Sequence, residues 1–174
     1  MKKLFLMGRS EAGKTSLTQA LKGEELHYEK TQYTITADDT IDSPGEYAES
    51  KQFGAGLACS FEADVVGIVQ AADEPYNLFS PCLRTFILRP LIGIITKTDS
   101  PYANVPMIKQ WLLNAGCDRI FLVNNVTREG IDELMEYLAE DPVKITMEQA
   151  KFKQHLGLNE WDPLPDGVEY PDGI

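Results

Sequence analysis

The sequence predicts an α/β fold in three layers, a mostly parallel sheet with helices on both faces, followed by a C-terminal extension. Two observations carry this. Short apolar runs alternate with segments of helical period, the pattern of strand–helix–strand crossovers. The first apolar run, Leu4-Phe5-Leu6-Met7, also opens into a glycine-rich stretch, Gly8-Arg9-Ser10-Glu11-Ala12-Gly13-Lys14-Thr15, that leads straight into a helical run.

The spacing in that stretch is glycine, four residues, glycine, lysine and a hydroxyl residue. It is the phosphate-cradling loop of P-loop nucleotide-binding proteins. Gly8 and Gly13 let the backbone wrap closely around phosphate, where a Cβ would clash. Arg9, Ser10, Glu11, Ala12 and Ser16 complete the turn, whose amides meet the positive end of the helix dipole. Lys14 is expected to reach the β- and γ-phosphate oxygens. The Thr15 hydroxyl is expected to ligate Mg2+, an ion usually shared with phosphate. The expected ligand is ATP or GTP.

The elements follow in order. Lys3 to Met7 reads as a buried central strand and Thr15 to Lys22 as a helix stopped by Gly23. A short edge strand is expected around Tyr33 to Thr36. Thr40-Ile41-Asp42-Ser43-Pro44-Gly45 places Asp42 to hold magnesium through water and the Gly45 amide to meet a γ-phosphate. Glu49 to Ser60 reads as a helix. Asp64 to Val69 is a near-continuous apolar run, as expected for a parallel strand covered on both faces. Ala72 to Arg89 reads as loop-rich, with a short helix around Pro81 to Phe86. Leu91 to Thr96 is another buried strand, with Thr96-Lys97-Thr98-Asp99 at its carboxyl end, where open α/β sheets place ligands. The Asp99 carboxylate can accept from guanine N1–H and its amino group, whereas adenine N1 would repel it. Asn104 to Ala115 is a helix, Ile120 to Val123 a strand ending at Asn124-Asn125, and Gly130 to Glu140 the last core helix. From Asp141 the character changes. Val143 to Leu158 reads as a weakly amphipathic helix, and the acidic, proline-containing stretch after it as irregular. The expected division is therefore 1–140 for the nucleotide-binding domain and 141–174 for the extension.

Composition sets the outer limits. A chain of 174 residues with 43% hydrophobic content can build a full core. A net charge of -11 argues against a nucleic-acid or anionic-membrane partner, so positive potential at a phosphate site must be made locally. Cys59, Cys82 and Cys117 have neither zinc-site nor CxxC spacing, which points to reduced thiols and a cytoplasmic setting.

The order and spacing of these motifs resemble Ras-like small GTPases, and more closely the EutP/PduV family of ethanolamine and propanediol utilisation. The resemblance rests on Met1-Lys2-Lys3-Leu4, Gly13 to Gln19, Lys30-Thr31-Gln32, Ile41 to Tyr47, Thr96 to Asp99 and Ile120-Phe121, and spans about residues 1 to 140. It implies a cytoplasmic P-loop protein associated with a bacterial microcompartment, with shell proteins as candidate partners. It also implies Thr31, or Thr34, as the switch threonine that closes on magnesium. Thr96 stands where the GTPase base motif begins with asparagine. Asn124-Asn125 replaces the usual Ser-Ala base edge. Glu46 follows Gly45 where a water-orienting glutamine is usual, so hydrolysis should be slow. Three readings stay open: a GTPase-like hydrolase or switch, a small phosphotransferase of the acetate kinase type with Arg9 and Lys30 as extra cations, and a non-catalytic shell-interaction module.

Overall fold

The computed structural model describes residues 2–24, 35–36, 40–42, 60–139, 146–158, 164–165 and 167–171. The chain forms two compact units, Met1–Asp141 and Pro142–Ile174. In chain order the elements are β1 (Leu4–Gly8), α1 (Lys14–Lys22), β2 (Ile35–Thr36), β3 (Thr40–Asp42), β4 (Val65–Ala71), β5 (Leu91–Thr96), α2 (Val105–Ala115), β6 (Arg119–Leu122), α3 (Ile131–Ala139) and α4 (Met147–His155). Short 3-10 turns lie at Ser60–Glu62 and Leu83–Phe86.

The sheet runs in the order β2-β3-β1-β4-β5-β6. Every pairing is parallel except β2 with β3, which is antiparallel. The fold class is thus as expected, with one short antiparallel strand at the edge. Parallel neighbours β5 and β6 are joined through helix α2, and α1 follows β1, so helices cover both faces and the central strands must be apolar on both. All residues of β1, β4 and β5 are buried.

Strand alternation builds two cores. Phe5, Met7, Val66, Ile68, Leu91 and Ile95 pack with Ile108, Leu112 and Ala115 of α2. Leu4, Leu6, Val69, Ile92 and Ile94 pack on the opposite face with Leu17 and Leu21 of α1 and Leu134 and Leu138 of α3. These are the three expected layers, and each fully buried aliphatic contributes about 1.5–3 kcal/mol. Helix α2 starts on the Asn104 side chain, which accepts from the Met107 amide at 3.2 Å, with a proline in its first turn. Cys117 lies in the first core, and burial, reinforced by Asp118, pushes its thiol up to about 12. It therefore stays protonated and unreactive.

Several boundaries shift by a residue or two. Helix α1 begins at Lys14, β4 runs on to Ala71, and Ser60 belongs to a 3-10 turn. The expected helix from Glu49 and the segments carrying Thr31, Thr34, Gly45 and Glu46 lie outside the described residues. In the second unit, α4 is started by a capping box: Thr146 accepts from the Gln149 amide at 3.2 Å and Gln149 accepts from the Thr146 amide at 2.9 Å. Phe152 of this helix meets Tyr170 at 5.8 Å between ring centres. No helix among the described residues is long and apolar enough to cross a membrane.

Candidate functional site

The turn after β1 is held by hydrogen bonds from distant parts of the first unit. Gly13 sits in the left-handed region at φ 92, where a side chain is strained, and is the residue from which α1 starts. Its carbonyl accepts from Asn125 Nδ2 at 3.0 Å and from the Leu17 amide at 2.8 Å. The Ala12 carbonyl accepts from the buried Thr96 hydroxyl at 2.6 Å. Lys14 is buried, and its Nζ donates to the Gly8 and Arg9 carbonyls at 2.9 Å each. A buried ammonium bonded to two carbonyls of this turn is a local positive centre on a strongly anionic chain.

Gly8 has a reason besides the one the motif suggests. A Cβ there would run into the Val69 carbonyl oxygen of β4, with which Gly8 pairs. Close approach of the two central strands by itself requires glycine at this position.

The other predicted residues divide into those brought to the turn and those placed beside it. Thr96 and Asn125 touch it directly, from the carboxyl ends of β5 and β6. Asn124 is buried, but its Oδ1 accepts from the Val126 and Thr127 amides at 2.9 and 3.0 Å, so it shapes its own turn. Lys97, at φ 52, and Asp99 are exposed on the turn after β5. Asp42 ends β3, opposite Leu6 of β1 in the register, which sets it at the carboxyl end of the sheet two residues before Gly8. Thr15 and Ser16 lie in the first turn of α1.

A cleft of about 210 Å³ lies against the same turn. Arg9, Ser10 and Glu11 line it from the turn after β1, Asp73 and Glu74 from the segment after β4, and Lys97 from the turn after β5. The Arg9 guanidinium stacks over the Tyr76 ring at 5.1 Å. Glu74 is only 6% exposed, and its Oε1 accepts from the Ala71 amide at 3.2 Å. Its Oε2 is buried without a hydrogen-bond partner. Burial raises the Glu74 carboxyl above its ordinary value; the Ala71 amide, Gln70, Arg9 and Lys97 oppose that rise. Sequence reasoning missed Glu74. Asp73-Glu74-Pro75 looks like an ordinary acidic turn, and nothing in its spacing signals burial.

An α/β sheet with a glycine–lysine–threonine turn between its central strand and the following helix defines a P-loop nucleoside triphosphatase fold. Within that class the chain belongs to the PduV-EutP family, described as ethanolamine utilisation - propanediol utilisation, whose model matches residues 1–140. It is 42% identical over 141 residues to the propanediol utilization protein PduV of Citrobacter freundii, covering 79% of this chain and 93% of that one. It is 32% identical over 143 residues to a protein of Escherichia coli strain K12 named probable acetate kinase EutP, covering 80% and 90%. A more distant similarity, 30% over 160 residues, links it to translation initiation factor IF-2 of Clostridium botulinum, of which the match spans 22%.

Proposed function

We propose that residues 1–140 bind a nucleoside triphosphate with Mg2+ in the turn Gly8–Thr15, and that 141–174 are an extension outside that activity. The observation that supports this best is the buried Lys14 ammonium over a turn whose carbonyls are already taken by Thr96 and Asn125. Those side chains brace the turn, and Lys14 would exchange the Gly8 and Arg9 carbonyls for phosphate oxygens.

The donor set fits the metal. Thr15 opens α1 and Asp42 ends the neighbouring strand β3, so one hydroxyl and one carboxylate, with Thr31 as the third candidate, would hold Mg2+. Magnesium supplies charge neutralisation between the phosphates. Lys14 orients and neutralises the γ-phosphate, Gly45 is assigned a backbone contact to it, and Glu46 stands next to the reacting group. Thr96 and Asn125 keep the turn rigid. Lys97 and Asp99 are assigned to the base, with guanine favoured over adenine because a carboxylate accepts from guanine N1–H. The test is calorimetric titration with MgATP and MgGTP, followed by product identification. Failure to bind either would overturn the proposal.

For the reaction itself, slow hydrolysis of a GTPase-like kind and transfer to an acceptor are both open to this site. The cleft beside the turn favours transfer, because hydrolysis needs no second seat, and a relative at 32% identity is named probable acetate kinase. The names of the family and its relatives support a setting in propanediol or ethanolamine utilisation, hence in the cytoplasm beside a bacterial microcompartment, with shell proteins as partners.

A further inference from the structure

The cleft holds a carboxyl that nothing in the phosphate-loop motif accounts for. Glu74 is buried at the carboxyl end of the central strand β4; its Oε2 has no partner within hydrogen-bond geometry, and the nearby Gln70 side chain only helps to hold the carboxyl down. Leaving a buried acceptor unmade is costly, so such an atom calls for a hydrogen from a ligand or a proton of its own. Among the described residues, the charged groups that line the cleft with it are Arg9 and Glu11 from the turn after β1, Asp73 from its own segment and Lys97 from the turn after β5. Asp73 is engaged by the Ser100 hydroxyl at 2.9 Å. Burial favours the neutral acid.

We propose that this cleft seats the phosphoryl acceptor, a small carboxylate, between Arg9 and Lys97, with Glu74 as its hydrogen-bond donor. The proposal rests on the transfer reading above. The chemistry of the acceptor agrees with a carboxyl that is an acid and not a base. A hydroxyl acceptor would have to lose a proton to a general base during attack. A carboxylate has none to lose: one of its oxygens forms the new bond to the γ-phosphorus, the bond to the bridging oxygen breaks, and its electron pair leaves with the nucleoside diphosphate. Arg9 is held on the Tyr76 ring beside the turn, so it can meet the acceptor without leaving the phosphate side. Glu74 in its neutral form adds a hydrogen bond without adding a like charge.

The test uses the full chain, MgATP and MgGTP, and carbon-13-labelled acetate as the probe. Acetate KM is followed with rising pH in the wild type, Glu74→Gln and Glu74→Ala. Binding of labelled acetate to the protein with magnesium and nucleoside diphosphate is followed in parallel by nuclear magnetic resonance. The wild-type KM should climb as pH rises and Glu74 ionises. Glu74→Gln, a donor at every pH, should give a flat profile. Glu74→Ala should raise KM by about tenfold or more and abolish the acetate signal. If the wild type phosphorylates acetate and both variants leave KM and its pH profile untouched, the cleft assignment is wrong and the transfer reading stands. If the wild type binds nucleotide but neither binds nor phosphorylates acetate, the transfer reading fails, and this proposal fails with it.

Discussion

The turn after β1 and the turn after β5 both lie at the carboxyl end of the sheet, and they are built in opposite ways. In the first, three side chains converge on four backbone carbonyls: Lys14 on Gly8 and Arg9, Thr96 on Ala12, and Asn125 on Gly13. In the second, Thr96 is buried but Lys97 and Asp99 stand in solvent, and Lys97 adopts φ 52, which costs a non-glycine residue about 1–2 kcal/mol. The first turn is braced by hydrogen bonds, two of them buried. The second offers exposed groups, Lys97 and Asp99, to solvent. Phosphate affinity should therefore be set by a rigid frame, and base choice by one carboxylate.

The largest expected effect breaks the first turn. Lys14→Ala removes the only ammonium within the turn and should cost about 2–5 kcal/mol of nucleotide affinity, as for truncation of a buried charge partner. Its circular dichroism spectrum should match the wild type. Normal nucleotide binding by this variant would mean that the braced turn is not the phosphate site, and the contrast between the two turns would lose its meaning.

Next comes the exposed turn. Asp99→Ala should weaken GTP by about 1.5–3 kcal/mol, the worth of hydrogen bonds to a charged group, and leave ATP nearly unchanged. Competition titrations read the ratio directly. Equal losses for the two nucleotides would show that Asp99 does not touch the base, and that specificity lies elsewhere.

The difference between the turns also explains what the sequence could reveal. Strands β1, β4 and β5 were legible because burial on both faces leaves unbroken apolar runs. The turn between β1 and α1 was legible because the motif restricts residue type at fixed spacing. The bond from Asn125 to Gly13 joins residues 112 apart, and no local pattern encodes it. At Gly8 the motif points to phosphate, and only the sheet pairing adds that the Val69 carbonyl leaves no room for a Cβ. Glu74 was illegible for the same reason: its burial comes from the packing of three segments that are remote in sequence. Composition limits the partner classes, yet a cleft exists only once the strands are aligned.

A smaller effect probes the link between the turns. Thr96→Val keeps the shape of the side chain and deletes the donor to the Ala12 carbonyl. It should cost about 1 kcal/mol of stability and weaken both nucleotides alike. Thr96→Asn should recover part of the loss if its amide can reach the same carbonyl. A selective loss of GTP alone would move Thr96 from the frame to the base site.

The smallest effect concerns Glu74, in the cleft between the two turns, and its sign can be worked out. Burial raises its carboxyl above the value of the unfolded chain, so its contribution to stability is fully present below the unfolded value of 4.5 and is lost as pH rises through the folded one. In that window the unfolded chain has already released the proton that the folded chain retains, and one proton limits the slope to about 1.4 kcal/mol per pH unit. Urea denaturation of wild type and Glu74→Gln from pH 5 upward should show the wild type losing stability relative to the variant as pH rises. Parallel curves would mean that Glu74 ionises freely in the folded protein. The cleft would then carry a further negative charge beside Glu11 and Asp73, and an anionic acceptor would find there the solvent-facing character of the second turn instead of the frame of the first.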